Sequence, residues 1–130
     1  MGLILDTSVL VAAERSQFDL ATFLQKERHQ SFGLSAVTVA ELLLGAERAV
    51  APASRMRRAA FADWMIQNVP VIPFGVAEAR RHAELRAHLM PHGAMIGAHD
   101  LQIAATAVAG GHSVVTFDVA DFSRVPGLEV

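Results

Sequence analysis

Gly2-Leu3-Ile4-Leu5-Asp6-Thr7-Ser8-Val9-Leu10 decides the reading of the fold. A short apolar run stops at an acid, and two hydroxyl residues suited to helix capping follow before Val9 and Leu10. The stretch predicts a buried strand over Gly2–Leu5 ending at Asp6, then a helix over Val9–Glu14 capped by Thr7 or Ser8. A start of this kind opens an alternating β/α chain, and in parallel sheets function collects at the carboxyl ends of the strands.

Outward from that start the alternation continues. A helix is predicted over Asp19–Arg28, with Leu20, Phe23 and Leu24 on one side, then a short strand at Gly33-Leu34. Ser35 caps a helix to about Ala49, where Ala40, Leu43 and Leu44 supply an i, i+3, i+4 stripe. After the break at Ala51-Pro52-Ala53, Ser54 caps a helix to about Gln67. Val69–Pro73 reads as an edge or strand end bounded by prolines. A helix over Ala77–Met90 points Ala83, Leu85 and Leu89 inward, and a turn at Pro91-His92-Gly93 opens a flexible loop to Gly97. The next helix, Ala98–Ala109, stops at Gly110-Gly111. A β-branched strand over Ser113–Phe117, a short turn or helix at Val119–Phe122 and a last strand at Leu128–Val130 complete the chain. The layout predicts an α/β fold: a mainly parallel sheet covered by helices on both faces, in one domain over residues 1–130.

Composition narrows the function classes. The chain has 130 residues, 52% of them hydrophobic, and no cysteine, which excludes disulfides, thiolate metal sites and thiol nucleophiles. Net charge is −2, so this is not a globally basic nucleic-acid binder. Its positive charge is nearly all arginine, clustered at Arg55, Arg57, Arg58 and at Arg80, Arg81, Arg86, in a form suited to phosphate or to solvated helix faces. No membrane span, signal-like start, phosphate loop, nucleophile elbow or zinc motif is present, and a cytoplasmic protein without membrane attachment is expected.

Acids carry the chemistry. Asp6, Glu41, Asp100, Asp118 and Asp121 each interrupt or border a segment that otherwise reads as core. Burying unpaired carboxylates together is costly unless a cation or protons compensate. The layout puts Asp6 and Asp118 after strands and Glu41 and Asp100 on helices leaning over the same edge, so a single site for a hard divalent cation is expected. Thr7, Ser8 and Thr116 are placed to help through their hydroxyls. Local roles compete: Asp6 as a helix cap, Asp100 as a dipole-stabilised acid in a first turn, Asp118 and Asp121 as turn residues. Among the histidines, His88 and His92 have the spacing of a metal pair, but Pro91 should break the helix that spacing needs. His82, His88 and His112 read as surface residues, and His99 as a candidate for substrate contact.

These segments together resemble a family. Asp6-Thr7-Ser8-Val9-Leu10 resembles the opening of PIN-domain ribonucleases, and Val37-Thr38-Val39-Ala40-Glu41-Leu42-Leu43-Leu44-Gly45 is similar to their second motif. Asp100-Leu101-Gln102-Ile103-Ala104-Ala105-Thr106-Ala107 resembles the third. Val115-Thr116-Phe117-Asp118-Val119-Ala120-Asp121-Phe122, with Val125-Pro126-Gly127-Leu128, is similar to the C-terminal motif of VapC toxins. The resemblance runs in order along essentially the whole chain. It implies a PIN-like three-layer α/β/α sandwich and a Mg²⁺- or Mn²⁺-dependent endoribonuclease acting on RNA such as tRNA or rRNA. It further implies a toxin restrained by a VapB-type antitoxin, and a homodimer. By motif, Asp6, Glu41 and Asp100 are the expected metal-binding core. The fourth acid is Asp118, favoured as nearer the strand end, or Asp121, since many relatives carry Asn at the position of Asp118. An apolar groove for the antitoxin is expected near Leu42 and Met56–Met65. The rivals are a haloacid-dehalogenase-type phosphohydrolase, whose second Asp is missing at Ser8, and a silent PIN-like module that only binds protein.

Overall fold

A computed structural model of the chain describes residues 2–130. Strand β1 (Leu3–Leu5) lies inside a four-stranded sheet of order β3-β2-β1-β4, all pairs parallel. It pairs with β2 (Phe32–Ser35) through Leu3–Phe32 and Ile4–Gly33, and with β4 (Ser113–Val115) through Leu3–Ser113, Ile4–Val114 and Leu5–Val115. Strand β3 (Val71–Ile72) extends the other edge against Leu34 and Ser35. A β-carbon at Gly33 would lie 3.1 Å from Ile72 and 3.2 Å from Ile4, so the small residue lets three strands close up.

Alternation along β1 divides the core in two. Ile4 joins Leu85, Leu89, Leu101, Ile103, Val114 and Phe122 on one face. Leu5 joins Leu10, Leu20, Leu34, Met65 and Val69 on the other. Helices α5 (Val76–Leu89), α6 (Ala98–Gly110) and α7 (Val119–Phe122) supply the first cluster. Helices α1 (Thr7–Glu14), α2 (Leu20–Lys26) and α4 (Pro52–Asn68) supply the second. The expected parallel sheet between two helical layers is present, and α3 (Ala36–Arg48) bridges from β2 to both sides.

Several expected details change. Helix α1 begins at Thr7, because Asp6 is the cap: its side chain accepts from Ser8 N, and Thr7 and Ser8 fall in the first turn. Helix α3 is capped by Ser35 as expected, but its inward face is Thr38 and Ala46 with Val37, Val39 and Leu42 packed beside them. Ala40 is exposed, and so are Leu43 and Leu44, at 40% and 51%. This helix is apolar round most of its circumference, so periodicity alone does not select a face.

Helix α4 starts at Pro52 instead of after Ser54, since proline's missing N–H costs nothing in a first turn. Leu85 and Leu89 point inward as expected, whereas Ala83 is exposed. Strand β4 stops at Val115, and Leu128–Val130 forms no strand: Leu128 packs against the core and the Glu129 carbonyl accepts from Val114 N at 2.9 Å. Helix α6 ends where the glycines predict, with Gly111 in the left-handed region at φ 68°. None of the helices among the described residues is long and apolar enough to cross a membrane.

Candidate active site

Asp6 sits where β1 leaves the sheet, and it is 1% exposed. Its backbone N–H donates to Val115 O at 2.9 Å, which ties it to the end of β4. Its Oδ2 accepts from Ser8 Oγ at 2.7 Å, Thr116 Oγ1 at 2.8 Å and Ser8 N at 3.3 Å. The two hydroxyls are themselves held: Ser8 Oγ accepts from Phe117 N at 3.1 Å, and Thr116 Oγ1 from Asp118 N at 2.8 Å. One carboxylate oxygen is therefore saturated, while Oδ1 is buried without a partner among the described residues. Capping engages Oδ2 alone, so it does not preclude a second role for Oδ1. An unsatisfied buried acceptor is costly enough to require a partner such as a cation, a proton or water.

Glu41 reaches the same edge from α3. The Thr7 hydroxyl lies 2.8 Å from its Oε1 and 3.1 Å from Thr38 Oγ1, so the single Thr7 proton serves the charged acceptor. Its Oε2 lies 3.1 Å from His99 Nδ1. His99, a candidate for substrate contact, stays exposed while it rests on Glu41. Asp100, one residue on, lies in the first turn of α6.

Asp100 reports how the acids are gathered. Burial raises its carboxyl to about 6, helped by the charges of Asp6, Asp118, Asp121 and Glu41. All five predicted acids thus occupy one region, and each of the other four disfavours the ionised Asp100. The C-terminal pair is looser than the rest. Asp118 is exposed and caps α7 without a side-chain bond, and Asp121 Oδ1 lies 3.6 Å from an Arg124 guanidinium nitrogen. Both candidates for the fourth acid act on Asp100. Among the described residues, no three His, Asp or Glu side chains already converge as ligands on one point.

An ion pair between helices lies near Glu41. Arg58 lies 3.2 Å from Glu14 Oε1 and donates to Gly45 O at 3.2 Å, joining α4 to α1 and α3. Glu14, Arg15, Arg58 and Glu41 share the wall of a cavity of about 180 Å³. No local motif signals this contact, because its partners come from three separate helices. The other expected cationic clusters do not gather there: Arg55 pairs with Glu47, Arg81 pairs with Glu84, and Arg80 and Arg86 are exposed on α5. Of the apolar residues expected to line a groove, Met56 and Trp64 are exposed, whereas Met65 is fully buried in the core.

The fold and the site define a class: a parallel α/β protein with carboxylates collected over the carboxyl edge of its sheet. The chain belongs to the PIN-domain family, which it matches over residues 3–128, and to its VapC branch. It is 36% identical over 130 residues to ribonuclease VapC1 of Rickettsia felis, covering 100% of this chain and 95% of that one. It is 32% identical over 97 residues to the tRNA(fMet)-specific endonuclease VapC of Salmonella typhimurium, covering 75% of this chain and 71% of that one. The crystal structure of DNA-bound VapBC from Salmonella typhimurium superimposes with a TM-score of 0.89 at 25% identity, covering 99% and 96% of the two chains. Family membership sets aside the haloacid-dehalogenase alternative. Its second acid would stand at Ser8, whose hydroxyl instead orients Asp6.

Proposed function

We propose that this chain is the toxin of a VapBC-type pair, an endoribonuclease that hydrolyses RNA with the help of Mg²⁺ or Mn²⁺. The observation that carries the reading is Asp6, whose buried Oδ1 has no partner amid four further acids. The donor set is all carboxylate oxygen, which suits a hard divalent cation. Asp6, Glu41 and Asp100 would hold it, with Asp118 or Asp121 as the fourth acid. When bound, the cation would offset the carboxylate repulsion, lower the pKa of water and stabilise charge on the phosphodiester.

The chain's own residues set the geometry. Ser8 and Thr116 fix the rotamer of Asp6, and Thr7 and His99 hold the two oxygens of Glu41. Burial and the neighbouring acids make Asp100 reluctant to ionise, and its carboxyl is raised to about 6. The kinship with an enzyme named for tRNA(fMet) supports structured RNA, tRNA or rRNA, as the substrate class. The likeness to a VapBC complex supports a VapB-type antitoxin as the partner. A homodimer belongs to the same proposal.

Inducible expression of the wild type and Asp6→Asn, with 5′ ends mapped across total RNA, tests the reading. Discrete cuts are expected from the wild type, abolished by a chelator and reduced by at least about 10²–10³-fold in the variant. The assignment fails if both soluble, folded proteins leave the same RNA profile.

A further inference from the structure

Away from the acids, the end of α5 holds a pair of histidines that the proposed reaction does not use. The His88 and His92 rings lie with centroids 5.3 Å apart and planes inclined by 33°. Pro91 does not break their spacing. Met90 keeps helical angles at φ −55° and ψ −51°, and Met90–His92 winds on as a 3₁₀ turn in which the proline falls near the start. Gly93, left-handed at φ 61°, then ends the turn and donates to Met90 O at 3.2 Å. The chain thus continues helically through the proline, and one turn brings the two imidazoles side by side.

Their chemistry is also set. His92 Nδ1 lies 2.9 Å from the His88 carbonyl oxygen. A carbonyl only accepts, so Nδ1 carries the proton, and in the neutral ring the Nε2 lone pair is free. Fixing one ring nitrogen on a backbone carbonyl is the usual way a protein orients a metal-ligating histidine. Two imidazoles on one cation, at Zn–N distances of about 2.0–2.1 Å, place their ring centres roughly 5 Å apart. Both side chains are exposed, so water can fill the remaining coordination positions.

We infer that His88 and His92 form a second cation site, for a borderline-soft divalent ion such as Zn²⁺, separate from the acidic cleft. Imidazole favours Zn²⁺, Ni²⁺ and Cu²⁺, whereas Mg²⁺ prefers carboxylate and water, so the two sites sort ions by ligand type. A cation bound there pins the last turn of α5 to the turn that leads towards α6. This inference is independent of the nuclease reading.

Titration of the full chain with Zn²⁺ against a competing chromophoric chelator tests it. The Asp6→Asn, Asp100→Asn double variant, which lacks the acidic site, is expected to take up one Zn²⁺, undisturbed by excess Mg²⁺, and the wild type to retain that uptake alongside any Zn²⁺ taken by its acids. His88→Ala and His92→Asn should each weaken uptake by at least about 10–100-fold, the range that loss of even an outer partner costs. Asn can still donate to the His88 carbonyl, so His92→Asn separates ligation from capping of the helix end. Unchanged Zn²⁺ affinity in both histidine variants overturns the inference, as does loss of binding in the acidic double variant.

Discussion

Asp6 and Asp118 are the same residue type at the ends of neighbouring strands, yet the fold treats them oppositely. Asp6 is 1% exposed, and three donors converge on one of its oxygens. Asp118 is exposed, at the cap of a four-residue helix, and its side chain makes no capping bond. The difference follows from position: β1 has a strand on either side, whereas β4 is an edge strand. On the proposed reading, one corner of the site, at Asp6, is held by its neighbours, and the other, at Asp118 and Asp121, is loose.

The largest test of this contrast lies between the corners, at Asp100. Asp100→Asn should lower RNA cleavage by about 10²–10³-fold, the scale at which removing one electrostatic group from a reacting site is felt. The same change should raise the melting temperature without divalent cations at pH 7.5. The sign follows from linkage. A carboxyl raised from 3.8 to about 6 in the folded state makes folding less favourable as pH rises through that window, and the penalty is complete above it. The stabilisation by Asn should therefore shrink as pH falls from 6 and vanish below the ordinary carboxylate range. A variant less stable than wild type at pH 7.5 would mean that burial and the neighbouring acids do not disfavour the ionised Asp100.

A smaller effect is expected at the lock on Asp6. Thr116→Val keeps the shape but removes one donor, and divalent-cation affinity should fall by about 10–100-fold. Isothermal titration with Mn²⁺ measures it, and wild-type affinity would show that the lock is dispensable. Smallest are the changes at the loose corner. Asp118→Asn and Asp121→Asn should each reduce cleavage by about tenfold or less, because exposed charges are largely screened by solvent and salt. Asp118 should matter more, since Arg124 already shares the charge of Asp121. Should Asp121→Asn silence the enzyme as fully as Asp6→Asn, the division into fixed and adaptable corners collapses.

Much of this was legible in the chain because buried acids contradict their surroundings. Leu3-Ile4-Leu5 followed by Asp6 could only be a strand that ends at something polar, and Glu41 inside Val39–Leu44 had to be held by more than water. The parallel sheet and the stop of α6 at Gly110-Gly111 were readable for similar local reasons, whereas the strand order was not. What escaped was set by partners distant in sequence. Helix α3 is apolar on several sides, so only packing against α4 and the sheet decides that Leu43 and Leu44 stay outside. The Arg58 clamp joins three helices, and the turn of His99 onto Glu41 links α6 to α3. Pro91 misled for a different reason: a proline near the start of a fresh 3₁₀ turn continues the chain direction instead of breaking it.

The pairing of β1 with β4 has a consequence for synthesis. Thr116, which locks Asp6, lies 110 residues further along the chain. Translation delivers the N-terminal acid first and its lock late, and contacts of such separation close slowly. A nascent chain emerging from the ribosome therefore carries Asp6, Glu41 and Asp100 before it can fix them in one cleft. Closure of the Asp6–Thr116 contact is therefore deferred until β4 has been made.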